Sequence, residues 1–454
     1  MIVPNNRLLF WAGFILIPFA TLGLIIPSVL ALSLIIAGSL LSVVLIDAIL
    51  SHRRLYDLIL EFPENIRVAK GHEGVIEIYV SNIKLKIKTL RMGLAFPDEI
   101  SSEKEDMLID LPAKDVNSHF KWTFKPQRRG RYFFDSCYLE TSSYLGFWAL
   151  RRTKPAVFEI RVYPDLSFER KNLAAIFLNR GNFGIHAQRH IGQGRDFEKL
   201  REYIHGDSYE HIHWKTTAKR GRPVTKVFQI ERTQEVYVIV DASRLSGRIL
   251  PATDQIMALR KNMPFQETFL EKYISAALVM GVAARRQGDL FGVLSFSNKI
   301  HNFIRAKTGR EHYNACREAL HDLQPAIVTP DFDELSSFIG LRLRRRALLI
   351  FLTNLDDPVI SESFIKNIEL LSRKHLILTA MIRPKGIKPV FLDPLAKTDE
   401  DVYKKLGGHI LWHNLRELEK KLQRKGVQFS MLNNEMICSH LVSQYMAVKQ
   451  RQLI

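Results

Sequence analysis

Residues 192–246 join the basic block GQGRDFEKLREYIHGDSYEHIHWKTTAKRG (192–221) to the apolar run EVYVIVDASRLS (235–246). Val236–Val240 is almost continuously apolar, which is typical of a strand buried on both faces of a parallel sheet. The run ends at Asp241 and Ser243. Because ligands of such sheets bind outside the carboxyl ends of the strands, these two side chains are candidate site residues.

Three further apolar runs follow, with amphipathic helical patterns between them. The runs are Phe291–Phe296, Ala347–Leu352 and Leu376–Met381. Strands that alternate with helices in this way predict a doubly wound α/β domain, which we assign to residues 235–454. Asn354 and Asp356 follow the third of the four strands, at the same predicted edge as Asp241.

The middle of the chain, residues 55–165, has a period of two. Ile76, Ile78 and Val80 interleave with polar residues, and the same alternation recurs in later runs. Half-buried antiparallel strands produce this pattern, because successive side chains point to opposite faces. We therefore expect a β-sandwich-like domain, for which an immunoglobulin-like topology is one option, followed by a separate signature segment at 166–234.

The N-terminal region is apolar over Leu8–Leu50. This run is roughly twice the ~20 residues that one membrane-spanning helix needs. It predicts a transmembrane hairpin within residues 1–54, with helices at about 8–26 and 29–50. A cleaved signal peptide is the alternative, but the run is too long for one.

The charges beside this hairpin predict its orientation. Arg7 precedes it, His52–Arg54 follows it, and the turn at Pro27–Ser28 is uncharged. Since basic residues stay on the cytoplasmic side, both ends and the domains after them should be cytoplasmic, in a multi-pass protein of the inner membrane. Asp47 is the only ionisable residue inside the run, and we expect its carboxylate to reach headgroup water.

The overall charge indicates an anionic partner. The 454 residues carry a formal net charge of +18, which suits nucleic acid, an anionic membrane surface or an acidic protein. Beside a predicted membrane hairpin we rank attraction to anionic lipid above nucleic acid. The three cysteines are too few and too scattered for a disulfide framework or a zinc site.

Five pieces of the sequence, in this order, resemble the bacterial membrane family known as domain of unknown function fifty-eight. They are RRGRYFF (128–134), YLGFW (144–148), RVYP (161–164), the block 194–221 and VYVIVDASRLSG (236–247). The resemblance implies a membrane hairpin, a β-rich domain and a von Willebrand A-like domain. Through its usual gene neighbours it also implies a MoxR-type AAA+ ATPase and other von Willebrand A proteins as partners.

The resemblance further implies a Mg²⁺ site made by an Asp-x-Ser-x-Ser loop, a distant threonine and a late aspartate. Asp241 and Ser243 match the first two positions, whereas the third falls on Leu245 and the late aspartate is Asn354. The threonine is replaced near Thr308–Glu311. We therefore expect a degenerate site, in which Mg²⁺ binds weakly or not at all and Asp241 orders the loop.

The signature block supports two interpretations. Its candidate residues are Arg201, Glu202, Gly206, Asp207, Trp214 and Lys215. In the structural interpretation Arg201 pairs with Glu202 and Asp207, which locks a turn at Gly206, and Trp214 anchors a core. In the other interpretation the same groups form a recognition surface, since arginine and tryptophan are frequent interface hot spots.

These features favour a membrane-anchored, non-enzymatic scaffold that binds protein partners. No nucleophile elbow, phosphate-binding loop or HExxH motif occurs in the sequence. One alternative is a metal-dependent hydrolase that uses Asp241, His213 or Asp356. Another is a binder of anionic lipid or nucleic acid through the basic clusters Arg342–Arg346 and Lys420–Lys425.

Overall fold

The computed structural model describes residues 1–26, 30–82, 87–112, 116–171, 173, 191–205, 207–229, 234–250, 267–384, 386–389 and 398–451. They form two compact units, Met1–Pro164 and Asp165–Ile454. Each unit has a hydrophobic core of its own.

The first unit begins with strand β1 (Ile2–Pro4) and two apolar helices, α1 (Asn6–Ile25) and α2 (Leu30–Ser51). Within the described residues, Ala31–Ser51 of α2 is long and apolar enough to cross a bilayer, while α1 contributes a shorter apolar stretch, Asn6–Thr21. The turn expected at Pro27–Ser28 lies outside the described residues.

Two mainly antiparallel sheets follow, in the region where the sequence alternates with a period of two. Their strands are β2 (Leu58–Glu61), β3 (Asn65–Ala69), β4 (Gly74–Asn82), β5 (Thr89–Leu94), β6 (Ile100–Ser102), β7 (Asp106–Asp110), β8 (Asn117–Pro126), β9 (Gly130–Ser142) and β10 (Trp148–Tyr163). One sheet has the order β1-β10-β9-β5-β7, with β3 parallel to β10, and the other has the order β2-β4-β8-β6.

The apolar faces of both sheets contribute to one core. Ile76 and Ile78 of β4 and Trp122 of β8 are almost fully buried in it, as the alternation in the sequence predicts. Phe134 of β9 and Phe158 of β10 join the same core, with their rings stacked at 4.6 Å. Such aromatic side chains each remove a large apolar area from water, which makes them the main stabilising contacts of this unit.

The second unit begins with the signature segment. Strand β11 (Ile191–Glu202) pairs with β12 (Val224–Gln229) as an antiparallel ribbon, and helix α3 (Trp214–Arg220) lies between them in the chain. Gly221 ends α3 in the left-handed region, with φ of 65°, which a glycine adopts without strain.

The remainder of the second unit is a doubly wound α/β domain. Its strands are β13 (Glu235–Asp241), β14 (Leu290–Phe296), β15 (Ile300–Lys307), β16 (Leu348–Leu352), β17 (Leu376–Ile382) and β18 (Val427–Leu432). Its helices are α4 (Phe269–Arg286), α5 (Arg310–His321), α6 (Phe332–Arg342), α7 (Pro358–Ser372), α8 (Asp399–Arg424) and α9 (Ile437–Gln450). The sheet order is β15-β14-β13-β16-β17-β18, and it is parallel except for β15.

Helices cover both faces of this sheet, so its central strand β13 is apolar between the charged residues at its two ends. Val236 and Val240 of β13 share a core with Tyr273 of α4, whereas Ile239 faces a second core that includes Phe364 of α7. The chain reverses its direction of winding next to β13, and the loops after β13 and β16 flank that switch point.

Candidate functional site

The candidate site lies at the carboxyl edge of the parallel sheet, where β13 ends at the fully buried Asp241. Asp241 Oδ1 accepts a hydrogen bond from the Ser243 backbone amide at 2.8 Å. Its Oδ2 accepts one from the Thr353 hydroxyl at 2.7 Å. Because Thr353 directly follows β16, the carboxylate ties together the ends of two neighbouring strands.

Asn354 continues this network toward helix α4. Its side-chain oxygen accepts a hydrogen bond from the Tyr273 hydroxyl at 2.7 Å, and its amide nitrogen donates to the Leu245 carbonyl at 3.1 Å. The Tyr273 hydroxyl also accepts a hydrogen bond from the backbone amide of Ile382, at the end of β17, at 3.3 Å. One buried network therefore connects the ends of three parallel strands with a covering helix.

Desolvation dominates the electrostatics of the network. It raises the pKa of the Asp241 carboxyl above the ordinary value, against the opposing effect of the hydrogen bonds from Thr353 and Ser243. Burial likewise raises the pKa of the Tyr273 hydroxyl, so this group remains a neutral donor at neutral pH. A buried polar network whose members are paired is rigid, and it suits the positioning of loops.

The Mg²⁺ that the resemblance implies does not fit these residues. Mg²⁺ requires near-octahedral oxygen ligands and keeps several waters, so its site must be open to solvent. The Ser243 hydroxyl lies beside the Asp241 carboxylate and, within the described residues, has no hydrogen-bond partner of good geometry. However, Leu245 offers no side-chain oxygen, and both the oxygen and the nitrogen of the Asn354 side chain already form hydrogen bonds. Asp241, Ser243, Leu245 and Asn354 are all buried.

The sequence-based position of the distant threonine is wrong. Strand β15 is antiparallel, so its last residue, Lys307, pairs with Phe291 at the amino end of β14. Asp241 pairs with Phe296 at the other end of β14. Thr308–Glu311 therefore follows β15 at the edge of the sheet opposite to the candidate site.

A loop between α5 and α6 is fixed against the candidate site. The backbone amide of Ala326 donates to the Ala242 carbonyl at 2.8 Å, and the amide of Arg244 donates to the Val328 carbonyl at 3.0 Å. Ile327 lies between these two anchor points and is 96% exposed. An almost completely exposed isoleucine on an anchored loop is a feature that the sequence analysis missed.

The segments that follow β13 and β16 carry further charged and apolar groups at this edge of the sheet. Arg248 forms an ion pair with Asp356, and an Arg244 guanidinium nitrogen lies 3.8 Å from an Asp357 carboxylate oxygen. Two other large apolar side chains are exposed in segments that follow these strands, Ile249 after β13 at 59% and Val359, the second residue of α7, at 77%. We call Ile249, Ile327 and Val359, with the two ion pairs, the rim.

The signature block has a structural ion pair, in agreement with the first of its two interpretations. An Arg201 guanidinium nitrogen lies 2.7 Å from Asp207 Oδ1, and Asp207 Oδ2 accepts a hydrogen bond from the Ile204 amide at 3.1 Å. The Ile204 amide, followed by Arg201, holds the pKa of Asp207 below its ordinary value. Glu202 does not join this pair, and one of its carboxylate oxygens lies 3.7 Å from an Arg222 guanidinium nitrogen. Gly206 lies outside the described residues.

Trp214 does not anchor a core, and that part of the structural interpretation is wrong. It is the first residue of α3 and is 69% exposed, next to the exposed Lys215. His213 precedes it and caps the helix, because its Nδ1 accepts a hydrogen bond from the Thr216 amide at 3.2 Å. His211 belongs to a single helical turn, Tyr209–His211, that precedes this helix.

The buried charge of Asp241 predicts a pH-dependent stability. Because the folded-state pKa is raised above the unfolded value of 3.8, stability is fully present below that value and is lost as pH rises through the folded pKa. Asp241→Asn has no such charge. We expect the variant's melting temperature, relative to the native chain, to increase as pH rises above about 4. Thermal unfolding of both detergent-solubilised chains across pH measures this, and a constant difference would contradict it.

Comparisons with known proteins give one family match. The model of the family described as "Protein of unknown function DUF58" matches residues 199–386. Those residues include the Arg201–Asp207 pair and the candidate site from Asp241 to Ile382. No curated protein matches the chain.

Solved structures align with part of the chain. Proximal thread matrix protein 1 from the mussel byssus aligns at 12% identity and a TM-score of 0.23, over 46% of this chain and 44% of that protein. A second structure of it, with a zinc-occupied MIDAS motif, aligns at 15% identity and a TM-score of 0.20, over 33% and 36% of the two chains. The aligned part thus spans less than half of the mussel protein.

An uncharacterized membrane spanning protein from Vibrio fischeri aligns at 15% identity and a TM-score of 0.17, over 47% of this chain and 97% of that protein. The same assignment follows from the signature block, from the four apolar strands after it and from the family match over residues 199–386. The part of the chain from residue 199 to residue 386 is assigned to the DUF58 family.

Proposed function

We propose that this protein is a membrane-anchored, non-enzymatic scaffold whose von Willebrand A-like domain binds a protein partner at the carboxyl edge of its sheet. The rim carries this proposal, since it presents the exposed side chains of Ile249, Ile327 and Val359 beside two ion pairs. Apolar groups bordered by polar ones, with arginine among them, are typical of protein interfaces.

The buried network beneath the rim supports a binding role. Asp241, Asn354 and Tyr273 fix the loops that bear the rim, so little conformational freedom is lost when a partner binds. The same burial speaks against the hydrolase alternative. Asp241 is closed to solvent, and His213 serves as a helix cap in the signature segment.

The apolar helices α1 and α2 would anchor the chain as a multi-pass protein. With Arg7 before them and His52–Arg54 after them, we place both ends and the two units on the cytoplasmic side of the inner membrane. On this side, a protein partner from the cytoplasm has access to the rim.

The basic cluster Lys420–Lys425, at the end of α8, gives less support to binding of anionic lipid or nucleic acid than the rim gives to binding of a protein. Lys420 pairs with Glu417 at 2.9 Å, and Lys425 pairs with Glu369 of α7. These charges are balanced by acidic neighbours and need no external anion. Arg344–Arg346 are exposed. Attraction to anionic lipid at the membrane surface accounts for this cluster without nucleic acid.

The partner that we propose is a MoxR-type AAA+ ATPase, as the family resemblance implies. The test is affinity capture of the detergent-solubilised full chain, treated with nuclease, in the presence of a non-hydrolysable ATP analogue. We expect one AAA+ ATPase to be enriched, and to be absent when a chain without residues 235–454 is the bait. Recovery of lipid or of unspecific acidic proteins alone would overturn the scaffold proposal.

A further inference from the structure

The turn between β9 and β10, Ser143–Phe147, is fastened to helix α2 by Asp47. The Asp47 carboxylate is only 2% exposed. Its Oδ2 accepts a hydrogen bond from the Ser143 hydroxyl at 2.5 Å, and its Oδ1 accepts one from the Leu145 amide at 3.1 Å. The expectation that this carboxylate reaches headgroup water is therefore wrong, because protein donors take the place of water.

Further hydrogen bonds hold the turn, and Trp148 directly after it, against helix α2 and the residues just before α1. The Trp148 indole nitrogen donates to the Val44 carbonyl of α2 at 2.9 Å. Just before α1, the Asn5 amide donates to the Phe147 carbonyl at 2.8 Å, and Pro4 of β1 pairs with Trp148. The turn is thus held next to the start of α1 and the end of α2.

These contacts determine the depth of the turn in a bilayer. Helix α2 has 22 residues, which at 1.5 Å each is about 33 Å, close to the ~30 Å of a hydrocarbon core. Asp47 is four residues before the end of α2 at Ser51, so it lies about 6 Å from that end along the helix axis. Leu145, bonded to Asp47, is therefore at the boundary between acyl chains and headgroups.

The side chains of the turn match this environment. Tyr144 and Leu145 are each 54% exposed, although they are large and apolar. The guanidinium of Arg54 lies 4.3 Å from the centre of the Tyr144 ring and donates to the Ser142 carbonyl at 2.7 Å. Aromatic residues with arginines that reach toward phosphates are typical of the membrane interface.

We propose that Ser143–Phe147 is a membrane-inserted turn, in which Tyr144 and Leu145 contact phospholipid at the acyl–headgroup boundary and Asp47 holds them at that depth. This inference rests on the membrane anchoring proposed above. It assigns the β-sandwich unit a lipid-binding surface of its own, in addition to the helices that span the bilayer.

Nitroxide labels on single introduced cysteines test the proposal in the full chain. The native cysteines Cys137, Cys316 and Cys438 are buried, and burial raises the pKa of each thiol to about 12, so they react little. The labelled variants are Leu145→Cys in the turn, Ile35→Cys in α2 and Val157→Cys on β10. Val157 is 76% exposed and nine residues beyond Trp148, roughly 30 Å along the strand.

The chain is reconstituted in vesicles of phosphatidylethanolamine and phosphatidylglycerol. Collisions of each label with oxygen, which concentrates in lipid, are compared with collisions with a water-soluble nickel chelate. We expect the oxygen-to-nickel ratio at positions 35 and 145 to be several-fold higher than at 157. If the label at 145 is exposed to water while the label at 35 is exposed to lipid, the inserted turn is overturned but the membrane anchoring is not. Water exposure at 35 as well overturns the anchoring itself.

Asp47→Ala tests what holds the turn. Without the carboxylate, the Ser143 hydroxyl and the Leu145 amide lose their acceptor, and we expect the ratio at 145 to fall at least twofold toward that at 157 while the ratio at 35 stays the same. An unchanged ratio at 145 overturns the role of Asp47. If Asp47→Ala does not insert into membranes, Ser143→Ala removes the 2.5 Å contact and should lower the ratio partially.

Discussion

Tyr273→Phe is expected to lower the free energy of unfolding of the α/β domain by about 2–6 kcal/mol. The substitution keeps the ring and removes only the hydroxyl. It leaves the side-chain oxygen of Asn354 and the backbone amide of Ile382 without their partner, and both residues are fully buried. Each orphaned group costs about 1–3 kcal/mol, since neither can turn to water.

Tyr403→Phe is the matched control. Tyr403 is 74% exposed in α8, so the loss of its hydroxyl should change the free energy of unfolding by less than about 0.5 kcal/mol. Urea unfolding of the detergent-solubilised chains, followed by tryptophan fluorescence, measures both values. Equal effects of the two substitutions would show that the buried network does not stabilise the carboxyl edge of the sheet.

Ile327→Asp is expected to weaken capture of the proposed AAA+ ATPase partner by at least about tenfold, because it places an unpaired charge in the apolar part of the rim. Since Ile327 is 96% exposed, the substitution should leave the melting temperature of the chain unchanged. Binding is measured as the amount of ATPase retained by immobilised full-length chain at increasing ATPase concentration.

Leu341→Asp provides the control for this effect. Leu341 is 79% exposed in the last turn of α6, which begins at the carboxyl edge of the sheet and ends at the amino edge. Leu341→Asp makes the same change in charge and hydrophobicity as Ile327→Asp, but away from the rim. We therefore expect full retention of the ATPase. If both variants bind as the native chain does, the partner contacts another surface.

The apolar strands of the α/β domain are predictable from the sequence, for a physical reason. Strands β13, β14, β16 and β17 are covered by helices on both sides, so nearly every residue is apolar and the run is conspicuous. Strand β15 is not identified in this way. It lies at the edge of the sheet, and its sequence, IHNFIRAK, mixes polar and apolar residues without a clear period.

The candidate site is only partly predictable. Position at a strand end identifies Asp241 and Asn354, but the partners of these residues come from remote parts of the chain. Thr353 is 112 residues from Asp241, and Tyr273 is 81 residues from Asn354, so the closed network depends on the tertiary fold. The error at Thr308 has the same origin, because the antiparallel direction of β15 decides at which edge that residue lies.

Side-chain type alone also misplaces single residues. A tryptophan in a family-matching block suggests a core, yet Trp214 begins a short helix and faces solvent. An aspartate near the end of an apolar helix suggests contact with water, yet Asp47 is bonded to Ser143, 96 residues away. In both cases the environment comes from neighbours that are distant in sequence.

The most direct test of a partner-binding rim is photo-crosslinking in intact membranes. A photoreactive amino acid replaces Ile327 in the full-length chain, and the same replacement at Leu341 is the reference. We expect position 327 to crosslink to a single AAA+ ATPase subunit and position 341 to yield no such product. Crosslinks to the ATPase from both positions, or to lipid alone from position 327, would contradict a partner-binding site at the carboxyl edge of the sheet.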